Sequence, residues 1–592
     1  MEARERLTAL RSLMREAGLA AYVVTSSDPH QSEYPPAHWK HRSWLSGFDG
    51  SAGTVVVTAQ TAGLWTDFRY YLEAEEALAG TGIELFRVGE PDVPDYPEWL
   101  ADTLCEGDAV GFDELCISLA ATRNLESRLG PRGIGVVPGD DLVGRIWSDR
   151  PELPSRPIRV HDVRYAGRSR GEKLSALRGE MDELGADYHL ISTLDDIAWL
   201  LNIRSSDVPY NPVAVAHMIV GRELAVLYVD ESRVAPDLGH ELESDGVTMR
   251  PYGEVAGDLA SFPVGTAVLL SPEQVSAGLA RALDSHARIV EHVNLSTPAK
   301  AKKNAVELDH LRSAMVRDGV AMVRFLHWLG SAVGEGEVTE LSAEAKLRDF
   351  RAEGERFVSE AFRTISGYRG HGAIVHYSAS EETDARLQRA GVYLVDSGAQ
   401  YEDGTTDITR TVALGEPSEQ ARRDFTLVLK GHISLATLRF PVGTTGHMID
   451  VVAREHLWRE RMNYGHGTGH GVGFFLNVHE GPQRISQRPN DVALEPGMIV
   501  SNEPGVYRPD QYGIRIENLV VVTEDESAGF GRFLRFETLT LCPLDRSLID
   551  VDLLVEQERR WVDDYHRRVR EQLLGHLEEE CAAWLESACA PL

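Results

Sequence analysis

At 592 residues the chain is too long for one hydrophobic core, so roughly two to four domains are expected. Its 43% hydrophobic and 26% charged residues mark an ordinary globular protein. Acidic residues outnumber basic ones 92 to 60, and the resulting formal charge of −32 argues against nucleic acid or an anionic membrane as a partner.

The opening segment MEARERLTALRSLMREAG is charged and amphipathic, unlike a secretory leader. No apolar run approaches the ~20 residues needed to span a bilayer. Cys105, Cys116, Cys542, Cys581 and Cys589 are odd in number and lack CxxC spacing, which suits reduced thiols. The expected location is the cytoplasm.

Leu7, Leu10, Met14 and Leu19 nearly follow helical spacing, and AAYVVTS after them reads as a buried strand. GTVVVT and AVGF also read as strands, and LEAEEALAG as helix. A proline-rich stretch at 150–160 closes this first α/β domain, 1–157. A second, 158–295, repeats it. LRSLMREAGLAAYVVTS at 10–26 aligns with LRGEMDELGADYHLIST at 177–193, an offset of 167, each placing helix, glycine and strand in that order. SDVPYNPVAVAHMIVG and GRELAVLYVD continue as strands. Neither segment carries a ligand cluster like the one farther on, and His30, Asp67, Arg69 and Arg204 are given surface or structural roles.

The third domain, 296–592, opens with a long helix, because Leu308, Leu311, Met315, Met322, Leu326 and Leu329 keep 3/4 spacing. A second helix falls around 338–352, followed by strands in SEAFRTISG and GAIVHYS. GVYLVDSGAQYEDGTTDITRTVAL then reads as a hairpin turning at Asp403-Gly404, which brings Asp396 and Asp407 to one site. Helices in SEQARRDFTLVLKGHISLATLRF and HMIDVVAREHLWRERM lead to NYGHGTGHGVG, with His466 and His470. Glu503 and Glu517 follow in SNEPGVY and GIRIENLVVV, and a charged helical tail spans 551–588. Helices alternating with antiparallel strands make this domain α+β.

Asp396, Asp407, His470, Glu503 and Glu517 form a hard, oxygen-rich ligand set. It suits Mn²⁺, Mg²⁺, Co²⁺ or Fe²⁺ better than a thiolate-bound structural zinc. Asp396 and Glu517 lie in or beside apolar strand patterns, where an unpartnered charge would cost several kcal/mol. Four carboxylates together need cations, so two metals with bridging carboxylates are inferred. HGTGH is not the helical HExxH zinc motif, because small residues fill the interval and no Glu stands there. The glycines flanking His466 and His470 are expected to let the backbone approach the ions. Arg515, two residues before Glu517, is expected to share its strand face and hold it, with Tyr507 as a further support.

VDSGAQYEDGTTDITRT, GHGTGHGVG, SNEPGVY and GIRIEN resemble the metal-binding segments of aminopeptidase P, within the pita-bread metallopeptidases. HQSEY, LSGFDGSAGTVVV, WTDFRYYLEA, DDIAWLLNIRSSDVPYNPV and KKNAVELDHLRSAMVRDGVA extend the likeness to the long, three-domain cytosolic type, so it covers nearly the whole chain. The resemblance implies two related creatinase-N-like α/β domains before a pita-bread catalytic domain. It implies that Asp396 binds one ion, that Asp407 and Glu517 bridge both, and that His470 and Glu503 bind the other. It adds His376, His466 and His479 for proton shuttling, substrate positioning and stabilisation of the tetrahedral intermediate, and Glu503 as proton acceptor.

The implied reaction removes the first residue from peptides with proline second, by attack of a dimetal-bridging hydroxide on the scissile carbonyl. The X-Pro amide lacks an N–H and is conformationally restricted, which sets such substrates apart. Mn²⁺ is the expected metal, with Co²⁺, Fe²⁺ or Zn²⁺ as alternatives, and a homodimer, aided by the helical tail, is the expected assembly. Three other readings stay open: a prolidase acting on Xaa-Pro dipeptides, a metal-free enzyme like creatinase, and a non-catalytic peptide-binding protein. The second α/β copy counts against the first, and the intact ligand set against the other two.

Overall fold

The computed structural model describes residues 2–283, 286–334 and 336–592. They form two compact units, Met1–Val163 with Arg168–Thr297, and Arg164–Gly167 with Pro298–Leu592.

In the first unit the opening segment forms the helix Ala3–Glu16, which buries Leu7, Leu10 and Met14. Gly18, at φ +70°, supplies the left-handed residue that ends the helix and turns the chain into β1 (Ala21–Thr25). The repeat read from sequence reappears residue for residue. The helix Arg170–Glu183 buries Leu174, Leu177 and Met181, Gly185 sits at φ +64°, and a strand begins at Tyr188.

β1 lies inside a six-stranded sheet with β2 (Thr54–Thr58), β3 (Ala62–Thr66), β4 (Glu84–Arg87), β5 (Ala109–Asp113) and β6 (Gly135–Gly139), in the order β4-β3-β2-β1-β5-β6. β1–β2 and β2–β3 are antiparallel, and the remaining neighbours are parallel. The second sheet repeats this order and these directions with Val247–Arg250, Ala225–Tyr228, His217–Gly221, Tyr188–Ile191, Ala267–Leu270 and Arg288–Glu291.

One expected strand is shorter than its sequence suggested. The chain of SDVPYNPVAVAHMIVG enters the ladder only at His217. Pro209 and Pro212 have no N–H to donate, and Asp207 Oδ2 takes the Val215 N–H at 2.7 Å. His30, Asp67, Arg69 and Arg204 all make local contacts. Buried His30 donates from Nδ1 to the Ser192 carbonyl at 2.8 Å. Asp67 caps a short helix and pairs with Arg69 at 2.8 Å, and buried Arg204 donates to the Ala198 and Ile203 carbonyls.

In the second unit the long helix is Ala305–Ala332, started by a capping box between Asn304 and Glu307. The hairpin forms with Val392–Ser397 paired to Ile408–Ala413, so that Asp396 faces Thr409, and with Tyr401 opposite Gly404 at the turn. GAIVHYS is not a strand. Its start lies in the short 3-10 turn Arg369–Ala373, because Gly372 packs backbone to backbone under Gly513, where an added Cβ would lie 1.7 Å from the Gly372 carbonyl. Helices Glu419–Ala436 and Gly446–Arg459 lead to a six-stranded sheet. Its order is Arg439–Pro441, Gly531–Thr538, Asn518–Gly529, Ile499–Asn502, Gly469–Gly471 and Glu480–Ile485.

The tail folds as helices Glu556–Leu573 and Glu579–Ala588. Val562, Tyr565, Val569, Leu573 and Leu585 spend its apolar face on the core that also holds Phe425 and Val428. All five cysteines are free thiols. Among the described residues, no helix is long and apolar enough to cross a membrane.

Candidate metal centre

The hairpin and the six-stranded sheet each supply part of the cluster. Asp396 is the penultimate residue of the strand Val392–Ser397, and Asp407 precedes the return strand. His470 lies in the short strand Gly469–Gly471, Glu503 directly follows Ile499–Asn502, and Glu517 precedes Asn518–Gly529. Donor atoms of Asp407, His470 and Glu517 lie within 4.8 Å of one another. His470 Nε2 is 3.4 Å from Asp407 Oδ2 and 3.8 Å from Glu503 Oε1. Asp396 joins the group electrostatically, since its charge and those of Asp407 and Glu503 all act on Glu517.

These groups are removed from water: Asp396, Asp407 and Glu517 are 8%, 4% and 2% exposed. Burial, followed by the charges of Asp407, Asp396 and Glu503, pushes Glu517 well above the usual carboxylate range. Burial also raises Asp396 and Glu503 against the opposing pull of Arg515 and His470 respectively. Burial alone would lower His470, but its hydrogen bond to Asp407 and the charges of Glu503 and Asp407 hold it up at about 9. The His470 Nδ1–H donates to the Gly471 carbonyl at 2.9 Å, which leaves Nε2 turned toward the carboxylates.

Arg515 organises one side. Its Nη2 donates to Asp396 Oδ2 at 2.6 Å, its Nη1 to the Tyr507 hydroxyl at 2.7 Å and its Nε to Thr409 Oγ1 at 3.2 Å. This corrects the sequence expectation that Arg515 holds Glu517. The strand ends at Arg515, and Ile516 sends its N–H to the Pro504 carbonyl, so the alternation that would align residues 515 and 517 is broken. Glu517 is held instead by Thr409, whose Oγ1 donates to Oε2 at 2.7 Å. Thr409 was missed in the sequence, although it stands two positions after Asp407 in TDITRT. Tyr507 also hydrogen-bonds His466 Nε2 at 2.7 Å, which completes a chain from His466 through Tyr507 and Arg515 to Asp396.

His466 Nδ1 lies 3.8 Å from Glu503 Oε2. The His479 ring meets the His470 ring edge-on at 4.4 Å. Half-buried His376 adjoins Val375, whose carbonyl is 3.4 Å from Arg515 Nη2. A network outside the cluster pins the histidine loop. Arg454 donates to Asp450 and to the His466 carbonyl, and Thr468 Oγ1 donates to Asp450 at 2.6 Å. A Cβ on Gly469 would lie 1.9 Å from the Ser501 carbonyl, and one on Gly471 2.2 Å from that of Glu480, so these glycines admit adjoining strands.

The donor set fits divalent cations. Asp396 Oδ1 and Asp407 Oδ1 are buried without a hydrogen-bond partner among the described residues. The positive charges beside them are Arg515 and, when protonated, His470. Three buried carboxylates and the partly buried Glu503, against that complement, leave an excess of negative charge that hard cations with oxygen preference would balance.

Residues 309–524 match Metallopeptidase family M24, and 532–592 match the C-terminal region of peptidase M24. Residues 6–146 and 149–307 each match the Creatinase/Prolidase N-terminal domain. Aminopeptidase P2 of Arabidopsis thaliana is 40% identical over 628 residues, covering 99% of this chain and 88% of that protein. A probable Xaa-Pro aminopeptidase P of Laccaria bicolor is 40% identical over 603 residues, covering 99% and 93%. Among solved structures, the X-prolyl aminopeptidase of Caenorhabditis elegans, described as a cytosolic enzyme with a di-nuclear active site, matches with a TM-score of 0.96 at 35% identity over 100% of both chains.

Proposed function

The chain belongs to the aminopeptidase P group of metallopeptidase family M24, and we propose that Asp396, Asp407, His470, Glu503 and Glu517 hold its two metal ions. It is an Xaa-Pro aminopeptidase, a hydrolase with a dinuclear metal site that removes the residue preceding proline at a peptide N-terminus. The convergence of Asp407, His470 and Glu517 donors within 4.8 Å is the observation that carries the ligand assignment. Asp396 would serve one ion, His470 with Glu503 the other, and Asp407 with Glu517 would serve both. The oxygen-rich set favours Mn²⁺. When bound, the two cations supply Lewis acidity at the scissile carbonyl and make water nucleophilic near neutral pH.

The chain's own residues do the rest. Glu503, raised by burial, accepts a proton from the attacking water. His470 keeps Nε2 free by donating Nδ1–H to Gly471. Arg515 neutralises and orients Asp396, and Tyr507 ties that arginine to His466. His376, His466 and His479 move protons and position the peptide. The charge of −32 suits a cytoplasmic enzyme working on peptides and away from nucleic acid and membrane.

Three domains, 1–157, 158–295 and 296–592, are proposed, the first unit carrying the two six-stranded sheets that repeat one another. A homodimer is proposed as the assembly. Exposed Met448, Val451 and Trp458 on the helix Gly446–Arg459 support it, with sedimentation giving the mass that decides.

The functional test is reconstitution of chelated protein with Mn²⁺ and mass spectrometry of X-Pro-Y, X-Ala-Y and X-Pro peptides. Loss of the first residue from X-Pro-Y, with X-Ala-Y intact, is expected. Equal cleavage of both would reject the proline preference, and turnover confined to the dipeptide would point to a prolidase.

A further inference from the structure

Outside the carboxyl ends of β1, β5 and β6, four side chains converge that the peptidase reaction does not use. His41 opens the helix His41–Ser46, Asp113 ends β5, Cys116 lies just beyond it, and Asp141 caps the helix Leu142–Ile146. In open α/β sheets this edge of the parallel strands is where ligands bind. One donor atom from each of His41, Asp113 and Cys116 lies within 4.8 Å of the others, and His41 Nε2 is 3.1 Å from Asp141 Oδ2. All four line one cavity together with Tyr22 and Thr25.

The cavity gathers a buried imidazole, two carboxylates and a thiol. His41 is 3% exposed, and its Nε2 is buried without a well-aligned hydrogen bond among the described residues. Burial and the charge of Asp141 raise Asp113, while burial followed by the charge of Asp113 pushes the Cys116 thiol well up. Arg150 donates to Asp141 Oδ2 at 2.7 Å and offsets one carboxylate. Asp113, together with Cys116 once a metal displaces its proton, would present two negative charges, which one divalent cation would balance. The fold itself does not require this set. Aligning β5 with Ala267–Leu270 puts Ser118 opposite Ser276, each the N-cap of the following helix. In that alignment the second copy carries Ser271 and Gln274 where the first has Asp113 and Cys116.

We propose that the first unit binds a structural zinc ion through His41 Nε2, Asp113, Cys116 Sγ and Asp141. A thiolate and an imidazole in the set favour zinc over the hard cations suited to the oxygen-rich centre of the second unit. Binding transfers the Cys116 thiol proton to solvent and forms the sulfur–metal bond. The ion would tie the ends of β5 and β6 to the helix His41–Ser46.

Cobalt substitution of the full chain tests this. Chelated protein titrated with Co²⁺ is expected to develop a thiolate-to-cobalt charge-transfer band in the near ultraviolet, which a centre of carboxylates and imidazole does not produce. Cys116→Ser is expected to abolish the band, and Cys105→Ser, at the exposed cysteine, to leave it. His41→Gln keeps the thiol in case Cys116→Ser does not fold. It is expected to weaken Co²⁺ binding, read by the same band, by at least the ~10–100-fold typical of losing an outer-shell partner. No band in the unaltered chain, a band that survives Cys116→Ser, or unchanged affinity in His41→Gln would overturn the proposal.

Discussion

Arg515 and Asp396, joined at 2.6 Å and both almost wholly buried, form the one Arg–carboxylate pair within the ligand cluster. Removing the guanidinium leaves a buried carboxylate beside Asp407 with no counter-charge of its own. Arg515→Met is therefore expected to destabilise the metal-free protein by about 3–5 kcal/mol in denaturant titration. Metal affinity, read by calorimetry, is expected to fall about 10–100-fold because the side chain also orients a ligand. Unchanged values on both counts would mean that Asp396 is fixed by other contacts. His470 gives a pH dependence with a definite sign. Its pKa rises from the ordinary 6.5 to about 9 in the metal-free fold, so its stabilising contribution is complete below pH 6.5 and is lost as pH climbs through 9. The raised carboxylates Asp396, Glu503 and Glu517 lose theirs in the same direction. Metal requires the deprotonated forms. The gap in Tm between Mn²⁺-loaded and metal-free protein is accordingly expected to widen from pH 6.5 to 9, and a constant gap would contradict this coupling.

At the level of elements, the short strand carrying His470 depends on glycines for its position. An added methyl at Gly469 would sit 1.9 Å from the Ser501 carbonyl, on the strand that leads to Glu503. Gly469→Ala is expected to cost about 1–3 kcal/mol by overpacking and to lower kcat by shifting His470, as chemical denaturation and steady-state kinetics would register. Wild-type values in both would show that the two strands can part without moving the site. The histidine loop was legible in sequence because GHGTGHGVG is distinctive, and the hairpin because Asp403-Gly404 interrupts two apolar runs. The partner of Arg515 was not legible. Alternation along a strand tells which side chains share a face only while the strand continues, and here it stops at Arg515. GAIVHYS misled for a related reason: its composition suits a strand, but the close approach of Gly372 and Gly513 is a tertiary contact that leaves no local mark.

Across the whole molecule, the offset of 167 residues was enough to reveal an internal repeat, and both copies share one strand order. The cluster of His41, Asp113, Cys116 and Asp141 was invisible in sequence, because these four come from three separate segments that only the sheet gathers. The five proposed metal ligands, by contrast, lay within one third of the chain, and two of them, Asp396 and Glu517, stood in or beside apolar runs that made their charges conspicuous. Their joint service to two ions is the claim on which the reaction rests. Diffraction from Mn²⁺-soaked crystals, measured on both sides of the manganese absorption edge, tests it most directly. Two anomalous peaks are expected in the second unit, both bonded by Asp407 and Glu517, with Asp396 on one and His470 and Glu503 on the other. A single peak, or a pair bonded by other side chains, would contradict the assignment.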